Sequence, residues 1–180
     1  MNPKLLFTAI LVTIIGTHAP SYSEENKGVY INPDQLRGLP TNIVIGLKKL
    51  NCLIPQGILD HTNAIEGEFA LKGQKDWAVI CSTNGKSHIH IFWGGPKKCP
   101  SVIAERSDED YLYKQSNAGW EYYRGLGKVG EKFIIDHYEA YGGPKPPPIT
   151  HDAIDDRWLE KASVVHYCHQ GKWVELTGAD

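Results

Sequence analysis

Trp77-Ala78-Val79-Ile80-Cys81-Ser82-Thr83-Asn84-Gly85-Lys86-Ser87-His88-Ile89-His90-Ile91-Phe92-Trp93 is the stretch from which the fold is read. The run Trp77 to Cys81 is apolar on both faces, as in a strand at the middle of a sheet or under a helix. Asn84-Gly85 is the strongest short hairpin signal, and it leads into a third run, Ser87 to Trp93. Upstream, Ala64 to Leu71 alternates Ile65, Gly67 and Phe69 with Glu66 and Glu68, the pattern of a half-buried strand. Residues 63–93 therefore read as a three-stranded antiparallel meander.

Toward the C-terminus, Gly94-Gly95-Pro96 ends the third strand, Val102-Ile103-Ala104 is a short apolar segment, and the charged stretch Glu105 to Asp110 reads as a surface loop. Tyr111, Leu112 and Tyr113 with Trp120, Tyr122 and Tyr123 suit a further strand pair. Ile134, Tyr138 and Tyr141, at i, i+4 and i+7, predict an amphipathic helix over 129–141, capped by Gly142 and stopped by Pro144. The prolines of Gly143 to Pro148 lack donors and hold the backbone extended, so a crossover within the domain is preferred to a partner-binding segment. Asp152 to Trp158 reads as a helical turn. Ala162 to Cys168 and Trp173 to Leu176 form a C-terminal hairpin.

Toward the N-terminus, Pro55 and Gly57 mark a loop. Thr41 is placed to cap a helix carrying Ile43, Ile45, Leu47 and Leu50, with Lys48 and Lys49 near its C-terminal end. Strands run together and helices interrupt them, which makes the class α+β. The expected architecture is a single domain over 40–180: an antiparallel β-meander, a C-terminal hairpin and two or three helices, braced by disulfides. Residues 24–39 read as an irregular lead-in, and 1–23 as a signal peptide.

That leader has a charge at Lys4 and an apolar run, Leu5 to Ile15, too short to span a bilayer. Small residues at Ser21 and Ser23 put the mature start near Glu24. No cysteine there offers a lipid anchor, and no later apolar stretch suits a membrane span. The expectation is a soluble periplasmic or secreted protein of unassigned oligomeric state. Removing 23 of the 180 residues leaves 157, one domain's worth, able to bury about two-thirds of its unfolded surface. Losing Lys4 takes the formal charge from −2 to −3, and the cations are scattered, which excludes a phosphate-tracking nucleic-acid surface.

Cys52, Cys81, Cys99 and Cys168 all lie in the mature part, and an exported chain meets an oxidising compartment where thiols pair. Their spacing fits no zinc pattern of close cysteine pairs. Of three possible connectivities, Cys52 with Cys81 and Cys99 with Cys168 is favoured.

Three groups of side chains can carry chemistry. His88 and His90 share a face of the third strand and can share a divalent metal, with His166 or His169 as a third ligand; a solvated sheet face is the ordinary alternative. His151, Asp152, Asp155 and Asp156 gather a candidate general base and carboxylates that suit a hydrolase or a calcium site, although all three acids equally suit the start of a short helix. Trp120, Tyr122, Tyr123 and Trp158 are aromatic candidates for binding a glycan or a protein. Nucleophile elbows, phosphate loops and the His-Glu-x-x-His motif are missing from the sequence.

The blocks GEFALKGQKDWAVICS and EKASVVHYCHQGKWVELTGAD, with SHIHIFW between them, resemble an uncharacterised family of exported bacterial proteins over residues 50–180. The resemblance implies a periplasmic or secreted setting and matches Cys52 and Cys81 to the family's cysteines, and it brings no activity. The first block also resembles calcium-binding propeller repeats, but only Asp76 remains of the acidic ligands and two lysines oppose an ion. The functional expectation is an exported non-enzymatic binding protein, of inhibitor, immunity or cell-wall-binding type, needing no cofactor. The alternative is a periplasmic hydrolase built on His151 and Asp152, Asp155 and Asp156, with or without metal.

Overall fold

The apolar run at Trp77 lies in the longer of the two inner strands of a four-stranded sheet. A computed structural model describes residues 29–58, 63–116 and 119–179; the leader expected at 1–23 lies outside them. The elements in chain order are β1 (Tyr30–Ile31), α1 (Thr41–Lys49), β2 (Ile54–Pro55), β3 (Ala64–Gly67), β4 (Asp76–Thr83), β5 (Lys86–Phe92), β6 (Val102–Ser107), β7 (Leu112–Gln115), β8 (Gly119–Tyr122), β9 (Arg124–Val129), α2 (Glu131–Tyr141), β10 (Ala153–Trp158), β11 (Ala162–His169) and β12 (Lys172–Thr177). The chain is mostly β with two α-helices among the described residues, an α+β domain held by two disulfides.

One sheet has the order β3-β4-β5-β6 and the other β12-β11-β10-β9, all antiparallel. Asn84 and Gly85 turn β4 into β5 with φ of 54° and 77°, the left-handed values that two-residue hairpin turns require. Strand alternation then builds four layers. Val79 and Cys81 pack with Ile43 and Leu47 of α1. Ala78, Ile80, Ile89 and Ile91 face the opposite way and meet Leu126 and Ile154 of the second sheet. That sheet's far face, with Val165, Tyr167 and Leu176, packs on Ile134 of α2. Gly46 lets α1 close on β5, since a Cβ there would stand 2.8 Å from a Phe92 ring carbon.

Cys52–Cys81 ties the chain after α1 to β4, and Cys99–Cys168 ties the exit of β5 to β11. A small β7–β8 ladder with Tyr111, Tyr122 and Trp158 closes one end.

The structure corrects four expectations. The charged stretch after Ala104 is not a loop throughout: Glu105 to Ser107 complete the edge strand β6, where charge protects an open edge, and Asp108–Tyr111 is a 3-10 turn. Asp152 to Trp158 holds no helical turn, because Ala153 to Trp158 is an inner strand with Asp155 and Asp156 each neutralised by an arginine. The strand expected over 64–71 ends at Gly67. Pro40, not Thr41, occupies the N-cap of α1.

Candidate functional site

Alternation along β11 puts Tyr167 and His169 on the face toward α2 and the proline connector. Tyr167 is only 1% exposed, and its hydroxyl accepts a bond from the Thr150 amide at 3.0 Å and donates to the Pro148 carbonyl at 3.2 Å. The connector is thereby pinned to the sheet. The His151 ring stacks on Tyr167 at 4.4 Å and 16°, and its Nδ1 lies 2.9 Å from the Asp152 carbonyl. His169 continues the ladder on Tyr167 at 6.3 Å and 21°.

Because Cys99 is bonded to Cys168, Lys97 and Lys98 are carried to the end of β11 beside this ladder. The result is an open groove of about 490 Å³ whose polar lining includes Lys97, Lys98, Thr150, His151 and His169. No aspartate or glutamate is among the described residues that line it. A shallower depression of about 520 Å³ adjoins it across Leu71 and Pro96, with Lys72 and Lys75 in its wall and again no carboxylate. Its volume suits a small molecule or a segment of a polymer.

A second concentration of polar groups lies between the sheets. Arg124 of β9 is fully buried and spends all five N–H donors: Nε and Nη2 on Asp156 at 2.8 and 2.9 Å, Nη1 on the Ser87 hydroxyl and carbonyl at 2.9 and 3.3 Å, and Nη2 on the Ala104 carbonyl at 2.7 Å. Tyr122 donates toward Ser87 at 2.9 Å and lies 3.2 Å from Asp108, which also receives Ser82. Burial works against ionisation of Asp156, but His166 at 3.7 Å and the Arg124 fork outweigh it and hold its carboxyl down at about 2. Burial first, and the Asp108 charge second, push the Tyr122 hydroxyl up, so it stays a neutral donor. Within this network the guanidinium of Arg124 has every donor matched by the chain's own acceptors.

The residues singled out in the sequence are distributed as follows. His151 lies in the groove, but the carboxylates are turned elsewhere: Asp152 accepts from the Glu68 amide at 3.0 Å, Asp155 binds Arg157 at 2.6 Å, and Asp156 binds Arg124. As strand neighbours, Asp155 and Asp156 face opposite sides of the sheet. Tyr122 is buried, and Trp158 packs edge-on against Tyr111 with Lys161 Nζ 3.9 Å from its ring centroid. Trp120 is half-buried in the same cluster, and Tyr123 bonds Gln115 and Glu121. His88 and His90 lie on the α1 side of β5, whereas His166 is buried with Asp156 between the sheets, so it cannot serve as their third ligand. Among the described residues no three His, Cys, Asp or Glu side chains are gathered as metal ligands.

Lys97, Lys98 and Tyr167 were not candidates from the sequence. The signal was present in Lys97-Lys98-Cys99 and Tyr167-Cys168-His169, which a Cys99–Cys168 bond necessarily juxtaposes.

No protein-family model matches the chain, and no curated protein and no solved structure is found similar to it. Among the described residues no helix is long and apolar enough to cross a membrane.

Proposed function

We propose that this chain is an exported binding protein of a bacterial envelope, periplasmic or secreted, that holds the anionic groups of a cell-wall glycan in the groove over Tyr167. The observation that carries this reading is the charge of the lining: two lysines and two histidines with no carboxylate, in a chain whose acids outnumber its lysines and arginines. Such a groove focuses positive potential and concentrates anions from solution. The buried Tyr167 and the pinned connector give it a stiff floor, so little ordering cost attends binding. Two disulfides suit the oxidising compartment.

The hydrolase reading requires His151 beside a free carboxylate, and the engagement of Asp152, Asp155 and Asp156 with other partners favours binding over it.

The test is titration of the full chain with oligogalacturonate, a polyol-phosphate oligomer and a neutral chito-oligosaccharide, followed by calorimetry. Expected is saturable binding of an anionic probe that weakens as salt is raised, and a loss of at least tenfold in the Lys97→Glu/Lys98→Glu variant. Equal binding of the neutral glycan, or unchanged affinity in the charge-reversed variant, would overturn the proposal.

A further inference from the structure

The geometry points to a second site, independent of the groove: His88 and His90 form a two-imidazole chelate for a borderline divalent transition-metal ion such as Cu2+, Ni2+ or Zn2+. Both side chains project from one face of β5, and their ring centroids stand 5.9 Å apart with planes at 80°. An ion about 2.0–2.1 Å from a ring nitrogen lies roughly 3 Å from that ring's centroid, so two rings sharing an ion stand up to about 6 Å apart. The observed spacing lies just inside that upper limit, and rotation of the side chains shortens it for a bent arrangement.

Three features of the surroundings support it. The β5–β6 register shifts between Ser87 and Ile89, where a bulge on β6 sets two residues, Ala104 with φ of 55° and Glu105, opposite His88, and bulges re-aim side chains at functional positions. Glu105 of β6 brings a carboxylate oxygen to 3.7 Å from His88 Nε2, beyond hydrogen-bond length, where a side-chain rotation turns it onto a shared ion; its other oxygen is held by Lys86 at 2.8 Å. The cross-strand neighbours on β4 are Cys81, already in a disulfide, and Val79, so neither competes as a cation.

The ion class follows from the donors. Imidazole nitrogen suits Cu, Ni and Zn and not the hard ions Ca or Mg. With two protein nitrogens fixed and Glu105 within reach, water completes the sphere, so the site is open and not a closed structural cage. It faces the α1 side of the sheet, where Val102, paired with His90 on β6, is 46% exposed.

The experiment is a Cu2+ titration of the full chain without a polyhistidine tag, read by calorimetry and by the nitrogen couplings in the Cu2+ paramagnetic resonance spectrum. Expected is one ion per chain with two coupled nitrogens, at least a tenfold loss of affinity in His88→Gln and in His90→Gln, a few-fold loss in Glu105→Gln, and no change in His151→Gln/His169→Gln. Thermal melting without metal confirms that each variant is folded. Retention of wild-type affinity and couplings in folded His88→Gln or His90→Gln, or loss of the signal in the His151→Gln/His169→Gln variant, overturns the assignment.

Discussion

The buried network around Arg124 and the open groove over Tyr167 are built from the same kinds of side chain, yet they stand in opposite chemical states. Between the sheets every donor of one guanidinium is matched, and the charge of Asp156 is answered within 3 Å. In the groove the cations outnumber the anions and face solvent. Saturation marks a group whose work is to hold the fold, and unanswered charge marks a group left for something outside the chain. The lesson is that the richest cluster of polar side chains in this molecule is not its best candidate for function.

Breaking the network should give the largest effect. Arg124→Met takes the guanidinium from Asp156, Ser87 and the Ala104 carbonyl and leaves the Asp156 charge buried without its arginine, and a loss of about 3–5 kcal/mol is expected in urea unfolding. Adding Asp156→Leu removes the stranded charge, so the double variant should recover much of that loss and keep groove binding. A loss below about 1 kcal/mol in the single variant would mean that water already reaches the guanidinium. Next comes the brace shared by both regions. Replacing Cys99 and Cys168 by serine opens a 69-residue separation, costing about 4 kcal/mol in the chain-entropy model, and it also frees Lys97 and Lys98 from the ladder. Stability and anion affinity should therefore fall together in this variant, as they do not in the first.

How far the sequence disclosed each region follows from what each rests on. The α+β class and the bracing were legible because apolar alternation, Asn84-Gly85 and four cysteines are local signals that tertiary context does not reverse. β9 and β10 were not: Gly125 and Gly127 weaken one strand, and Asp155-Asp156 argues against the other until Arg124 and Arg157 are brought from elsewhere to neutralise them. Gly127 leaves room for that neutralisation, because a Cβ there would displace the Arg157 guanidinium from its present position. The groove was half legible. His151 stood out as a titratable residue beside the prolines, but the lysines acquire meaning only through the Cys99–Cys168 bond. The aromatic residues misled because bulk alone does not distinguish a ring that binds a ligand from one that packs on its neighbours, as Trp158 does under Lys161.

Acid sharpens the same contrast at a smaller scale. Asp156 is held at about 2 in the folded chain against 3.8 as its ordinary value, so the folded state is the weaker proton binder. Its contribution is complete above about pH 4 and is lost as the pH falls toward 2, amounting to roughly 2 kcal/mol. Urea unfolding at pH 6, 4 and 2.5 should show that decline in the wild type, and a correspondingly shallower one in Asp156→Asn. An identical acid slope in the two would place the titrating group elsewhere.

The smallest effect on stability should come from the groove. Lys97 and Lys98 are exposed and make no ion pair among the described residues, so Lys97→Glu/Lys98→Glu removes no side-chain contact that folding relies on. Its unfolding free energy should stay within about 0.5 kcal/mol of wild type, while anion binding falls at least tenfold. That separation is what distinguishes the two regions, since network variants lose stability and keep the groove's charge. A charge reversal that destabilised the chain by more than about 1 kcal/mol would show that the lysines are part of the fold's own electrostatics, and the contrast between a saturated and an open cluster would fail at the groove.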